Sequence, residues 1–334
     1  MGWRHLALSG FVRLGGNRLV ERWFGRDRLT VLAYHRVVDH TAPTFVGFVG
    51  NASAGPEEFA RQMRVVARRH NPVSIDDVVA TLGGRPLPER AVLVTFDDGY
   101  RDNHDLAFPI LSELSIPAVV FLATDHIGSD EPFWWDRVAW MFGSAGPGRA
   151  ELPVLGPTSW KDSHKITVRW VAAAKQLAEP KKAASVADLA DVLGAPDIGS
   201  TFAGSHLSWD MVRAMQAHNF AIGAHTCGHP ILSRLDPGSA RREVICSVER
   251  VREETGQTPI GFAYPNGLPG DYNDAVVEAV GEAGIILGFT LSPGPAHKRE
   301  YAADPLRIPR VYIHHTDDSV TFGAKVAGIS RFLR

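Results

Sequence analysis

The stretch VLVTFDDGY at residues 92–100 ends a short apolar run with two adjacent carboxylates, Asp97 and Asp98. An apolar run of this length, followed by Gly99, is typical of a buried β-strand. The alternative is a simple turn, since Asp and Gly both favour turns. Yet two carboxylates at the end of a buried strand repel each other unless a cation or hydrogen bonds stabilise them. The stretch therefore predicts a strand that delivers two acidic side chains to one edge of a sheet.

Other predicted strands also end in chemically active side chains. These residues are His35 after strand 30–34, His225 after strand 220–224 and Tyr264 in strand 262–264. Helical segments separate the strands, and this alternation predicts βαβ units in a parallel sheet. Parallel barrels have their active sites at the carboxyl ends of the strands, so we expect a (β/α) barrel. A doubly wound open sheet, which also has its sites there, is the second choice.

Apolar periodicity predicts the remaining elements. The strands are 30–34, 91–96, 118–122, 220–224, 262–264 and 285–291, and the helices are 57–69, 104–114, 209–218, 237–255 and 273–283. The alternation is interrupted between about 143 and 205, where Gly, Pro, Ala and Lys are frequent. Two helical patches at 166–177 and 182–193, with no evident strand, predict an inserted helical cap, called the cap below. The main domain is then 30–334.

The first 29 residues form a basic amphipathic segment with six arginines among apolar side chains. Arg13 and Arg18 interrupt any continuous apolar stretch, so a signal peptide is not expected. No run of about 18 apolar residues predicts a transmembrane helix. The segment is expected either to contact an anionic membrane surface or to pack against the domain. We therefore expect a cytoplasmic location, and the first of these alternatives adds peripheral contact at the inner membrane face through residues 1–29.

Charge and cysteine content narrow the function classes. The 334 residues carry a formal net charge of −2, which argues against nucleic acid as a partner. The two cysteines, Cys227 and Cys246, are too few for a disulfide framework or a Cys-rich zinc module. Cys227 lies between two histidines, and we expect a small buried thiol there rather than a metal ligand.

The motif HTCGH at 225–229 places two imidazoles, His225 and His229, after a predicted strand. Together with Asp98 they make three protein ligands and leave a fourth position open, as in catalytic zinc sites. The four-residue spacing predicts one helical turn that directs both rings to the same ion. These ligands suit zinc and also accept cobalt, nickel or manganese. Asp97 is then free to act as a base on a water molecule at the open position.

Three ordered motifs resemble those of the polysaccharide deacetylase superfamily, carbohydrate esterase family 4. They are TFDDG at 95–99, HTCGH at 225–229 and FAYPNG at 262–267, and the resemblance spans roughly residues 29–312 without the cap. It implies a distorted (β/α)7 barrel, a zinc-like ion and hydrolysis of an N-acyl group on an amino sugar. The partner would be an N-acylated amino-sugar substrate in a glycan or a lipid-linked saccharide.

The resemblance also implies roles for the matching positions. Asp97 would be the general base, Asp98, His225 and His229 the metal ligands, and the Tyr264 backbone N–H an oxyanion donor, with Pro265 and Asn266 beside it at the substrate. One position departs from the family pattern. Family members often carry an arginine in the third motif that orients the base, whereas this chain has Ala263, and Arg310 is our candidate substitute.

The general acid has two candidate locations. The late motif of the family usually carries this histidine, and here His314 or His315 could fill the role. However, AYHRV at 33–37 resembles the exopolysaccharide deacetylase branch, in which that motif precedes the Asp-Asp strand. The first and last strands of a closed barrel can be neighbours, so the permuted order keeps the geometry. We therefore prefer His35, and the pKa of a histidine near neutrality suits the role.

The primary hypothesis is a metal-dependent N-deacetylase, a hydrolase of linear amides in an amino sugar. The alternatives are a deformylase or small-amide hydrolase of the same fold and, less favoured, a non-catalytic glycan-binding barrel. Formyl and acetyl groups differ by one methyl, which a pocket separates by only about 1–3 kcal/mol. The aromatic run FWWDR at 133–137 either lines a glycan groove or anchors the cap against the barrel.

Overall fold

The computed structural model of the chain describes residues 27–329. Almost all of the basic segment predicted at 1–29 lies outside the described residues, and so does the membrane contact expected of it. Within the described part of the chain, no helix is both long enough and apolar enough to cross a bilayer.

Seven parallel strands close into a barrel. They are β1 (Arg28–Tyr34), β2 (Ala91–Phe96), β3 (Ala118–Leu122), β4 (Phe220–Ala224), β5 (Gly261–Ala263), β6 (Leu287–Pro293) and β7 (Ile308–Tyr312). Each strand pairs with the next along the chain, and β7 pairs back to β1. This closure confirms the (β/α)7 barrel and excludes the open sheet, whose outer strands would lack a partner. The barrel is irregular, since β1 and β2 share six residue pairs and β4 and β5 share one.

The sequence analysis did not assign the seventh strand. β7 contains Pro309, which has no N–H, and Arg310, so it lacks the continuous apolar run by which the other strands were identified. Pairing holds it in the sheet, with Leu32 of β1 opposite Val311. β1 therefore lies between β2 and β7, which confirms that the first and last strands of this barrel are neighbours.

Helices surround the barrel. They are α1 (Pro56–Arg69), α2 (Ile75–Leu82), α3 (Phe108–Glu113), α4 (Trp134–Ala145), α5 (Ser163–Ala174), α6 (Glu179–Leu193), α7 (Trp209–Gln216), α8 (Pro237–Thr255), α9 (Asp274–Glu282), α10 (Lys298–Ala303) and α11 (Ser319–Val326). Short strands at Arg36–Val37, Ala52–Ala54, Asn71–Pro72 and Ala296–His297 lie outside the seven-stranded ring.

The helix predicted at 104–114 is split. A π-type turn, Asn103–Ala107, precedes α3 beside Pro109, whose missing N–H interrupts the helical hydrogen bonds.

Alternation along the strands divides side chains between the barrel interior and the helices. Leu93 of β2 lies in an apolar cluster with Phe121 and Phe289, at the centre of the barrel. Its neighbour Val94 belongs to the cluster that β2 shares with the surrounding helices. Because successive side chains of a strand point to opposite faces, Asp97 continues the interior row of Leu93. Strand alternation therefore directs this carboxylate toward the barrel axis.

The cap differs from its prediction in one respect. A hairpin of two strands, Gly148–Leu152 and Gly156–Trp160, precedes its two helices, where the sequence analysis expected no strand. The hairpin strands contain Gly and Pro and alternate exposed with buried or half-buried residues, so they carry no continuous apolar run. The predicted helical patches correspond to α5 and α6, and Trp170 of α5 packs in one apolar cluster with Phe142 of α4. The division of the chain at residue 30 stays a prediction.

Candidate active site

Left-handed backbone conformations shape both loops that carry the predicted ligands. Asp98 has a φ of +76°, and Thr226 and His229 have φ values of +67° and +59°. Non-glycine residues rarely adopt this region, and where they do the strain is often found at functional sites. The helical turn predicted between the two histidines is therefore wrong. Residues 225–229 form an irregular loop in which left-handed residues bring the two rings together.

Asp98, His225 and His229, called the triad below, meet at the carboxyl end of the barrel. Their ligand atoms lie within 4.8 Å of one another. Asp98 Oδ1 is 3.5 Å from His225 Nε2 and 3.4 Å from His229 Nε2. Asp98 Oδ1 and His225 Nε2 are buried and have no hydrogen-bond partner among the described residues. Buried polar atoms are normally satisfied, and one shared cation would satisfy both, so the triad fits a divalent metal ion.

Contacts with neighbouring residues hold the two imidazole rings in place. His225 Nδ1 lies 2.6 Å from the carbonyl oxygen of Ala263, so Nδ1–H is the donor and the Nε2 lone pair faces Asp98. The ring of His229 packs edge-on against Trp135, with centroids 4.8 Å apart. The loop backbone is tied as well, because the His229 amide donates to Thr226 Oγ1 at 3.0 Å. The rings are thus oriented by the protein itself.

The charge states of the triad suit metal binding. Burial raises the pKa of Asp98, but His35 and the triad histidines outweigh it, and the pKa lies well below its usual value. Burial lowers the pKa of His229 far below that of an ordinary histidine, which keeps the ring neutral. Burial also lowers the pKa of His225, yet the adjacent Asp98 carboxylate and that of Asp97 raise it overall and favour a proton on the ring. A metal ion would displace this proton, since binding requires the neutral imidazole.

Asp97 forms a bidentate ion pair with Arg310. Both N–O distances are 2.7 Å, and the side chains are 2% and 0% exposed. Burial raises the pKa of Asp97, but the Arg310 guanidinium outweighs it and holds the pKa below its usual value. Ala263, where the family pattern has an arginine, lies in the interior cluster. Arg310 therefore reaches the carboxylate from β7, and the predicted contact between it and Asp97 is present.

His35 lies at the same end of the barrel as Asp97. Its Nε2 atom is 4.0 Å from Asp97 Oδ2. Burial lowers the pKa of His35, although Asp98 and Asp97 act in the opposite direction. The rings of His314 and His315 contact each other at a tilt, with centroids 4.2 Å apart, and neither residue lines the cavity at the triad. This geometry favours His35 over the two later histidines as the general acid.

The loop after β5 departs from the role implied for it. The Tyr264 N–H donates to the carbonyl oxygen of Phe289 at 3.1 Å as part of the barrel ladder, so it is not available to a substrate oxyanion. Pro265 has no N–H to offer. Asn266 does line the cavity, and its Oδ1 accepts a hydrogen bond from Lys175 Nζ at 2.8 Å. The oxyanion role expected of the Tyr264 N–H is therefore not supported by this geometry.

A cavity of about 440 Å³ opens at the triad and includes residues that the sequence analysis missed. Asn51 lines it and donates from Nδ2 to Asp98 Oδ2 at 3.2 Å. Lys175 lines it from the cap. Asn51 ends a short 3₁₀ helix, Val49–Asn51, and Lys175 follows a cap helix. Neither belongs to a motif, so no sequence signal links them to Asp98.

The aromatic run at 133–137 contributes one residue, Trp135, to both the cavity and the cap cluster, and its role in a glycan groove stays a prediction. Trp135 lines the cavity and belongs to the apolar cluster that joins the cap to α4. Its indole N–H donates to the Tyr100 hydroxyl at 2.9 Å, and this hydroxyl donates to Asp136 Oδ2 at 2.7 Å.

Cys227 is buried and stands outside the triad, and burial raises the pKa of its thiol to about 12.

Comparison with known proteins identifies similar chains. A family model described as polysaccharide deacetylase matches residues 84–287, which is more than half of the chain. A poly-beta-1,6-N-acetyl-D-glucosamine N-deacetylase of Escherichia coli (strain K12) is 37% identical over 102 residues, or 30% of this chain and 15% of that protein. The protein of the same name in Staphylococcus epidermidis is 33% identical over 82 residues, or 24% and 28% of the two chains. The matches thus cover less than two thirds of these curated relatives.

Two solved structures share the fold. Streptococcus pyogenes deacetylase PplD, in complex with acetate, has a TM-score of 0.58 and 16% identity, covering 92% of this chain and 99% of its own. IcaB from Ammonifex degensii has a TM-score of 0.57 and 21% identity, covering 90% and 97%. Identities this low establish likeness of fold alone. His35 and Arg310 lie outside the range of the family match, so their roles depend on the geometry described above.

Proposed function

The chain belongs to the polysaccharide deacetylase family, and on that premise we propose that it removes an N-acetyl group from an amino sugar. The substrate would be a glycan or a lipid-linked saccharide. One observation carries the proposal: the metal-binding triad, the Asp97–Arg310 pair and His35 converge at the same end of the barrel. An ion site, an ionised carboxylate and an imidazole can therefore act on one amide.

The triad would hold a divalent ion, most naturally zinc, and the same ligands accept cobalt, nickel or manganese. When bound, such an ion polarises the amide carbonyl and acidifies a water molecule. Asn51 supports the site by its hydrogen bond to Asp98, and the Ala263 carbonyl supports it by its contact with His225. Contacts of this kind are typically worth about 10–100-fold in metal affinity.

Asp97 is the proposed general base. The pKa of Asp97 below its usual value keeps the carboxylate ionised at neutral pH. Arg310 contacts both carboxylate oxygens and so prevents the group from rotating. As the water oxygen bonds to the acyl carbon, Asp97 takes the proton that this water releases. Its remaining lone pairs are available for that transfer, because each carboxylate oxygen accepts more than one hydrogen bond.

His35 is the proposed general acid. The C–N bond breaks only when the nitrogen gains a proton, since an amide anion is a very poor leaving group. Burial lowers the pKa of His35, which makes its imidazolium a stronger acid, and Asp98 and Asp97 favour the protonated form. The reaction balances as amide plus water giving amine plus acetic acid, with the water hydroxyl on the acyl carbon and its proton replacing the one given to nitrogen; at neutral pH the acid ionises to acetate.

Mass spectrometry of acetylated and formylated glycans and lipid-linked sugars, with and without added zinc, tests the proposal. We expect acetate release that requires a divalent ion. Asp97→Asn should keep the ion, measured by elemental analysis, and lose nearly all turnover. The matched control is Asp76→Asn, an exposed aspartate at the start of α2, which should keep both.

Each other outcome points to a named alternative. Turnover retained in Asp97→Asn removes this residue from the mechanism. Release of formate without acetate assigns the chain to the deformylases. Absence of both turnover and bound ion in the zinc-treated wild type favours the non-catalytic glycan-binding barrel. The cytoplasmic location and the membrane contact through residues 1–29 stay predictions, and liposome co-sedimentation with and without this segment tests the contact.

A further inference from the structure

The cap contributes two of the described residues that line the cavity, Lys175 and Gln176, just beyond the end of α5. Gln176 is held by Arg234 in the loop after β4, whose guanidinium donates to its carbonyl and Oε1 at 2.9 and 3.0 Å. Lys175 is held by Asn266 in the loop after β5. These contacts tie the cap to two barrel loops and fix an ammonium group in the cavity wall.

Lys175 is the one lysine or arginine among the described lining residues. Its Nζ donates a hydrogen bond to the neutral amide oxygen of Asn266, and no carboxylate of residues 27–329 lies within 4.0 Å of Nζ. Burial lowers the pKa of Lys175, while Asp98 and Asp271 act on it in the opposite direction from longer range. An ammonium has three N–H donors, and a partly buried cation without a counterion is unfavourable.

The remaining charges of the cavity favour an anion. Asp98 balances one of the two positive charges of a bound divalent ion. Asp271 at the cavity wall balances another positive charge. With a divalent ion bound, Asp98 and Asp271 do not balance the combined charge of the ion and Lys175, so these groups together keep net positive charge. A ligand that brings a negative group to this wall would complete the balance.

We propose that Lys175 binds an anionic group of the saccharide substrate, a carboxylate or a phosphate, near the acetamido group that is hydrolysed. This inference rests on the proposed function and narrows its substrate class to acidic saccharides. The carboxylate would come from an acidic sugar in a glycan, and the phosphate from a lipid-linked sugar. Lysine binds either group as a point charge, without the planar geometry that arginine requires. The cap, which supplies Lys175, is then a specificity element.

Three matched N-acetylated oligosaccharides test the proposal: a neutral one, one with an added carboxylate and one with an added phosphodiester. We expect kcat/KM of the zinc-loaded wild type to be about tenfold or more higher for an acidic member than for the neutral one. Lys175→Met should abolish this preference through KM, so that kcat/KM falls more for the acidic substrate than for the neutral one. Lys165→Met, on the exposed face of α5, is the matched control and should change nothing. Added salt should weaken the wild-type preference.

If Lys175→Met lowers kcat/KM equally for the neutral and the acidic substrates, Lys175 only holds the cap against Asn266, and the proposal is overturned. The acidic member that the wild type prefers identifies the carboxylate or the phosphate as the source. If the wild type releases acetate from none of the three, the proposed function fails. Calorimetric binding of the same saccharides to wild type and Lys175→Met then decides the inference, and equal affinities overturn it. If that variant does not fold, the salt dependence of the wild-type preference gives the same decision.

Discussion

Replacing Arg310 with methionine should destabilise the protein and weaken its proposed base at the same time. The side chain makes two 2.7 Å hydrogen bonds to Asp97 and further bonds of 3.2 Å to Thr95 Oγ1 and the Thr290 carbonyl. Both members of the ion pair are buried, so the variant leaves Asp97 without its counterion. Breaking a buried pair in this way typically costs about 3–5 kcal/mol. That is a large part of the roughly 5–15 kcal/mol that stabilises an ordinary domain.

The loss of stability in Arg310→Met should be smaller at low pH. Arg310 holds the pKa of Asp97 below the unfolded value of about 3.9, so the pair stabilises the fold above that pH and less as the pH falls. Without Arg310, burial raises the pKa of Asp97, and protonation relieves the unpaired charge. The difference in unfolding free energy between wild type and variant should therefore be largest near pH 7 and shrink toward pH 4. The acid limb of kcat/KM should move to higher pH for the same reason.

Urea unfolding followed by tryptophan fluorescence measures this difference at each pH. Arg310→Lys keeps the charge but loses the planar fork, and it should fall between wild type and Arg310→Met. In the background of Asp97→Asn, Arg310→Met should lower the unfolding free energy by less, because no carboxylate remains that could lose its counterion. A loss below about 1 kcal/mol at pH 7, or an equal loss at pH 4 and pH 7, would refute the reasoning.

Two further predictions concern histidines. His35→Ala should lower kcat about 100-fold or more, while His314→Ala and His315→Ala stay near wild type; the reverse result assigns the acid to the late motif. Burial, followed by nearby His126, lowers the pKa of His206 to about 4, whereas the unfolded value is about 6.5. Folding thus opposes its protonation, so stability should fall as the pH falls through this interval. His206→Gln should flatten that slope in urea unfolding, and an unchanged slope would contradict the assignment.

The triad could be located from local pattern alone. His225 directly follows an apolar strand, Asp98 comes two residues after the end of another, and His229 comes four residues after His225. Parallel strands gather their carboxyl ends at one edge, whichever strands are neighbours. The convergence of these ligands therefore needed no knowledge of strand order. The loop conformation was not predictable in the same way, because left-handed residues at Thr226 and His229 replace the helical turn that their spacing indicated.

Elements without an apolar run escaped the sequence analysis. The cap hairpin contains Gly and Pro and mixes exposed with buried residues, and β7 is interrupted by Pro309 and Arg310. Their strand conformation comes from pairing with other segments rather than from local preference. The Tyr264 N–H shows the same dependence, because β6 takes it into the barrel ladder. A motif match cannot reveal whether a backbone donor is already used.

The sequence by itself determined the alternation of strands and helices and the chemistry at the strand ends, because both depend on the residue pattern within short continuous segments. Only the tertiary structure decided which distant groups complete the site. Arg310 meets Asp97 across 213 positions of sequence because β7 closes the barrel and both side chains face its interior. Asn51 and Lys175 reach the cavity through loop and cap packing. Closure and packing depend on pairing between remote segments, and periodicity within one segment does not encode them.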